Sequence, residues 1–135
     1  MPSNNIQPDG WARPRGYANG MTATGPFVFV AGQVGWDPTN EVPTFAKTLV
    51  EQFDLALSNV LAVVKKAGST PQDVINMTVY VTNRDEYVEY VREIGAVWKK
   101  HFGKHYPAMA LVQVARLLSD EAKVEIQAVA TVKSA

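Results

Sequence analysis

The feature that most constrains this chain's fold is a long helical stripe followed closely by a strand-like alternation. From Thr44 to Ala67 the apolar residues Phe45, Leu49, Phe53, Ala56, Val60, Val63 and Ala67 recur every three or four positions. That spacing is one face of an α-helix. Lys65 and Lys66 occupy its last turn, where cations suit the helix dipole, and Gly68 supplies the stop. A few residues later the period falls to two. Between Val74 and Thr82, Met77, Val79 and Val81 alternate with Asn76, Thr78, Tyr80 and Thr82, which predicts a half-buried strand.

The flanking segments repeat both patterns. Phe27 to Ala31 is aromatic and β-branched after the turn signal Gly25-Pro26, so a strand is expected there, extending towards Val34. Tyr17 to Thr22 is a weaker strand, expected to pair with it as a hairpin. A second helix opens at Asn83, with Asp85 and Glu86 in its first turn. It carries Tyr87, Val91, Ile94 and Trp98 on one stripe and ends with Lys99, Lys100 and Gly103. Strands are expected from Pro107 to about Ala115 and from Lys123 to Val132. This order predicts an α+β domain with a mixed sheet and two helices on one face.

The last strand puts Val124, Ile126, Ala128, Ala130 and Val132 on the side assigned to the helices, and Glu125, Gln127, Val129 and Thr131 on the other. The strand at 27–34 is apolar on both sides. A sheet face of this kind is rarely left to water, so a second subunit is expected to cover it.

Composition narrows the function classes. The 135 residues, 47% hydrophobic and 19% charged, suit one globular domain spanning 1–135, with 1–15 expected to be an irregular N-terminal segment. Thirteen Lys plus Arg balance thirteen Asp plus Glu, so no positive field recommends nucleic acid or acidic membranes as partners. The absence of cysteine excludes a disulfide framework, a thiolate metal site and a cysteine nucleophile. The polar start and the lack of any apolar run long enough to span a bilayer predict a soluble, cytoplasmic protein.

No nucleophile elbow, P-loop or dinucleotide-binding glycine motif follows a strand. His101 and His105 are four apart with Gly103 between them at a helix end, and they read as solvated terminal residues rather than a metal pair. Asp37-Pro38-Thr39-Asn40 reads as a turn in which the aspartate caps locally. Glu125 is more informative, because a carboxylate in a strongly β segment on the non-helical side has two readings. It is either paired across an interface or placed to move a proton, and burial would make it a competent base near neutral pH.

The segments VFVAGQVGWDP, QFDLALSNVLAVVKKAG, VINMTVYVT, HYPAMALVQVARL and VEIQAVA, in this order, resemble the RidA/YjgF family, also called the L-PSP or enamine/imine deaminase family. The resemblance runs from about Tyr17 to Val132. It implies a chorismate-mutase-like fold, a homotrimer with clefts between subunits, and hydrolysis of reactive enamines or imines to a carbonyl compound and ammonia. It implies no metal or organic cofactor. A protonated imine is already electrophilic, so the protein need only position substrate and water and accept a proton.

By the same resemblance Glu125 holds the water, and Tyr17, in Pro14-Arg15-Gly16-Tyr17, lines the cleft in a motif that lacks one proline. Gly32 and Ala31 match the segment after the second strand, with Ala31 replacing a commoner serine. The departure is Met109: Pro107-Ala108-Met109 stands where active deaminases have an arginine that grips the substrate carboxylate. A thioether cannot make that two-point contact, which implies a non-standard substrate. Trp36 has two readings: packing at the trimer rim, or reaching the cleft, where with Met109 and Leu111 it would make the pocket broader and more apolar, suited to a planar ligand. Arg13 and Arg15 are candidates for a substitute charge. The alternative function is a non-catalytic trimer that binds a small molecule or partner. Ribonuclease activity, attached to some relatives, fits poorly with zero net charge.

Overall fold

The long helix begins later than its apolar stripe. In the computed structural model, which describes residues 4–42 and 44–133, helix α1 spans Leu49–Lys66. Thr48 sets the start through a capping box: the Glu51 N–H donates to Thr48 Oγ1 (3.2 Å), and the Thr48 N–H donates back to Glu51 Oε1 (3.3 Å). Phe45, at the head of the stripe, belongs instead to a short strand. In chain order the remaining elements are β1 (Asn4–Ile6), β2 (Gly20–Thr22), β3 (Phe27–Val34), β4 (Trp36–Asp37), β5 (Thr44–Phe45), β6 (Val74–Val81), α2 (Arg84–Glu89), α3 (Val91–Phe102), β7 (Ala108–Gln113) and β8 (Val124–Thr131).

The main sheet has the order β3-β8-β6-β7, and it is mixed because β6 and β7 run parallel while the other pairs are antiparallel. Helices α1 and α3 cover one face. The core lies between them, where Phe53, Leu57, Val60 and Val64 of α1 meet Met77 and Val79 of β6 and Ile126 of β8. Each such buried side chain contributes about 1.5–3 kcal/mol relative to exposure. The α1 backbone comes so close to Gly35 that an added Cβ would stand 2.4 Å from the Gln52 Cα. The expected α+β architecture with helices on one face is therefore present.

Three expectations are corrected. Residues 1–15 are not irregular throughout, because Asn4–Ile6 forms β1, pairing with β2; residues 1–3 and 134–135 of the expected domain lie outside the described residues, as does position 43. The strand at Tyr17–Thr22 shortens to Gly20–Thr22 and pairs with β1 rather than forming a hairpin with β3. Ala18 instead bridges Ala108 at the free edge of β7. The second helix is two helices, separated at Tyr90 (φ −103°, ψ 21°).

The histidines are also not solvated ends. His101 Nε2 lies 2.5 Å from Asp54 Oδ1, with the imidazole only 15% exposed, and Lys100 Nζ lies 2.6 Å from the other oxygen. Burial works to raise the Asp54 carboxyl, but hydrogen bonds from Lys100 and His101 outweigh it and hold the group below its ordinary value. His105 Nε2 lies 2.7 Å from the Val74 carbonyl. Both rings tie α3 and its exit loop to neighbouring elements. Asp37 does cap its turn, accepting from the Thr39 N–H at 2.9 Å and from its hydroxyl.

Candidate active site

Glu125 lies on the sheet face away from the helices. Its neighbours across the ladders are Val34 of β3 and Tyr80 of β6. Residues alternate between faces, so the core positions Val124 and Ile126 force Glu125 outwards. Gln127 and Val129 share that face. Tyr80 Oη donates to Gln127 Oε1 (3.1 Å), which adds a polar pair beside the carboxylate.

A bulge brings Gly32 against this group. The β3–β8 register is Val30 opposite Ala128 but Gln33 opposite Ile126, so Ala31 and Gly32 together oppose Gln127. The doubled position puts both residues on the open face. A Cβ added at Gly32 would stand 2.7 Å from Glu125 Cδ and 2.8 Å from Oε2, so the carboxylate rests where any other residue's side chain would be.

Met109 and Leu111 point the other way. In the parallel β6–β7 register Met109 sits opposite Met77 and Leu111 opposite Val79, both core residues, and both side chains pack against the core. Met109 lines a cavity of about 230 Å³ with Arg15, Tyr87, Trp98 and Tyr106 among others. Tyr17 and Arg13 line a second cavity, of about 420 Å³, which shares Tyr106. Trp36 reaches neither: its ring packs on Phe45 at 5.3 Å between centroids, and its carbonyl accepts from Asn59 Nδ2.

One chain therefore divides the sequence-derived candidates. Glu125, Gly32 and Ala31 gather on the open face, whereas Met109 and Leu111 lie on the helical side and Tyr17 lies near the β7 edge. By strand spacing and rise, the Cα atoms of Glu125 and Met109 are roughly 14 Å apart within the sheet. Tyr80 and Gln127 were not singled out from sequence, although their alternation already put them on Glu125's side. Trp98 and Tyr106 were also missed as lining residues, because their stack (centroids 5.7 Å apart, planes within 4°) needs the loop after α3 to fold back. Among the described residues no group of three or more His, Cys, Asp or Glu could hold a metal ion.

A family model described as Endoribonuclease L-PSP matches residues 12–132. The chain belongs to this family, the RidA/YjgF proteins. TdcF of Escherichia coli (strain K12) is 40% identical over 110 residues, covering 78% of this chain and 79% of TdcF. The 2-iminobutanoate/2-iminopropanoate deaminase of the same organism is 32% identical over 125 residues, covering 83% and 91%. Among solved structures, YyfB of Yersinia pestis, from the Rid protein family, has a TM-score of 0.84 at 26% identity, covering 98% of this chain and 100% of that one. The crystal structure of Escherichia coli TdcF with bound serine has a TM-score of 0.67 at 34% identity, covering 97% and 99%. The mixed sheet with helices on one face is thus the YjgF/RidA fold. No helix among the described residues is long and apolar enough to cross a membrane.

Proposed function

We propose that this protein is an enamine/imine deaminase that hydrolyses a reactive amino intermediate to a carbonyl compound and ammonia. The observation that carries this reading is the Glu125 carboxylate resting against the Gly32 backbone on an open sheet face. A carboxylate held there can orient a water and accept its proton as it attacks an imine carbon. The deaminase named among the relatives supports the same reaction class.

The site we infer is assembled between subunits of a homotrimer, without metal or organic cofactor. The open face of one copy supplies Glu125, Gly32 and Ala31, and the β7 edge of the next supplies Tyr17 and Met109. The division of these residues over two faces of one chain supports that assembly. A methionine at 109 favours a substrate choice different from that of the iminobutanoate enzyme, and it is also what favours the second reading, a ligand-binding trimer without turnover.

Ammonia release from freshly generated imines separates the two. Glu125→Gln keeps the shape of the side chain but cannot take the proton, so turnover should fall on the order of 10²–10⁴-fold with the assembly intact. Undiminished turnover in this variant would remove Glu125 from the reaction. No ammonia release from the parent protein with any imine tested would leave the binding role.

A further inference from the structure

Two arginines ahead of β2 line cavities whose walls contain no carboxylate. Arg15 lines the cavity of about 230 Å³ with Met109, Tyr87, Ile94, Trp98 and Tyr106, and Arg13 lines the neighbouring one. Arg15 belongs to none of the ion pairs found among the described residues. A surface arginine is ordinarily just solvated, so its backbone setting matters. Pro14 has a fixed φ, and Gly16 has a φ of +76°, a left-handed value that a side chain would strain. Two residues further on, the Ala18 N–H donates to the Pro107 carbonyl at 2.9 Å, and Ala18 bridges Ala108. The segment bearing Arg15 is thereby pinned to the strand that bears Met109.

The rest of the wall is apolar or neutral. Trp98 and Tyr106 are stacked, the Trp98 indole N–H donates to the His105 carbonyl at 3.0 Å, and burial pushes the Tyr87 phenol up, so it stays protonated. A cavity with a neutral aromatic wall and one cationic residue in its lining suits a compact molecule with an apolar body and an anionic end. We propose that Arg15 is a specificity-determining residue that holds the carboxylate of a small 2-oxo or 2-imino acid whose apolar chain lies on Met109 and the Trp98–Tyr106 stack. The imine form of that ligand rests on the deaminase reading; recognition of the carboxylate does not. The guanidinium offers two parallel donors, so it can grip a carboxylate from position 15 where position 109 cannot.

The test is calorimetric binding of 4-methyl-2-oxopentanoate and of its uncharged methyl ester, at up to millimolar concentration, without turnover. The parent protein should prefer the acid. Arg15→Ala should weaken acid binding by at least about tenfold and leave the ester unchanged. Arg15→Lys should recover part of the loss, because an ammonium supplies the charge without the planar fork. An acid that binds Arg15→Ala as tightly as the parent, or a parent that does not prefer the acid, overturns the assignment. If the parent protein releases no ammonia from any imine while the Arg15 effect on acid binding holds, only the deaminase reading fails. If Glu125→Gln is inactive and Arg15→Ala changes nothing, only the Arg15 assignment fails.

Discussion

Gly32 and Glu125 form the tightest pairing at the candidate site, and their contact separates stability from activity. A methyl at 32 would overlap Glu125 Cδ and Oε2, the far end of a flexible side chain on an open face. The side chain can turn away without moving either strand. Gly32→Ala should therefore change unfolding stability by no more than about 0.5 kcal/mol. The carboxylate, however, would leave its place by an ångström or more, and a displacement of that size costs on the order of 10²-fold in rate. Urea unfolding and ammonia release, measured on the same variant, check the two halves. A full rate would mean that the observed position of the carboxylate is not the one used. Glu125 was legible in the sequence because it interrupts a strand whose other positions fix its phase. Gly32 was legible only through the family resemblance, since the bulge that turns it and Ala31 to the same face leaves no mark in the alternation.

At the scale of elements, Gln52 shows what local pattern cannot reveal. It lies beside the stripe residue Phe53 and reads as a polar flank of the helix, yet it is 1% exposed. Its Nε2 donates to the Ala46 and Glu121 carbonyls, both at 2.9 Å, and its Oε1 accepts from the Lys123 N–H at 2.8 Å. One side chain thus fastens α1 to the segment after β5 and to the entry of β8. Gln52→Leu should lower stability by about 3 kcal/mol, since it strands buried backbone groups that each cost roughly 1–3 kcal/mol when unpaired. A denaturation midpoint unchanged from the parent would show that water satisfies them. Two of these three bonds reach across about seventy residues of chain, and so does no periodicity. The same reason hid β1 against β2, the transfer of Phe45 from helix to β5, and the tethering of His101 to Asp54. The elements with their own internal period were read more closely: β6 and β8 have ends within one residue of the expected ones, whereas α1 starts five residues after the expected Thr44.

At the scale of the molecule, the open face of the sheet decides whether the site exists at all. Phe29 is 76% exposed in a single chain, opposite Val129 on the same face as Glu125, with Phe27 beside it. The apolar character of the strand at 27–34 made that face legible. The relative phase of two strands was not, because Pro107–Ala115 is apolar on both sides and does not say which way Met109 points. With Met109 turned to the helices and Glu125 turned away, a site containing both requires a second copy. Phe29→Asp tests this, since covering the face in a trimer would bury three like charges, each losing the roughly 1.5–3 kcal/mol that a buried phenylalanine contributes and adding a desolvation cost of several kcal/mol. The parent should sediment at three times the 14.8 kDa chain mass and the variant at one. The helical face is untouched, so the variant should retain a cooperative unfolding transition while ammonia release disappears with the assembly. A monomeric Phe29→Asp protein that turns over imines at the parent rate would show that one chain holds a complete site. The carboxylate of Glu125 would then act with Tyr80 and Gln127 alone, and Met109 would have no part in substrate choice.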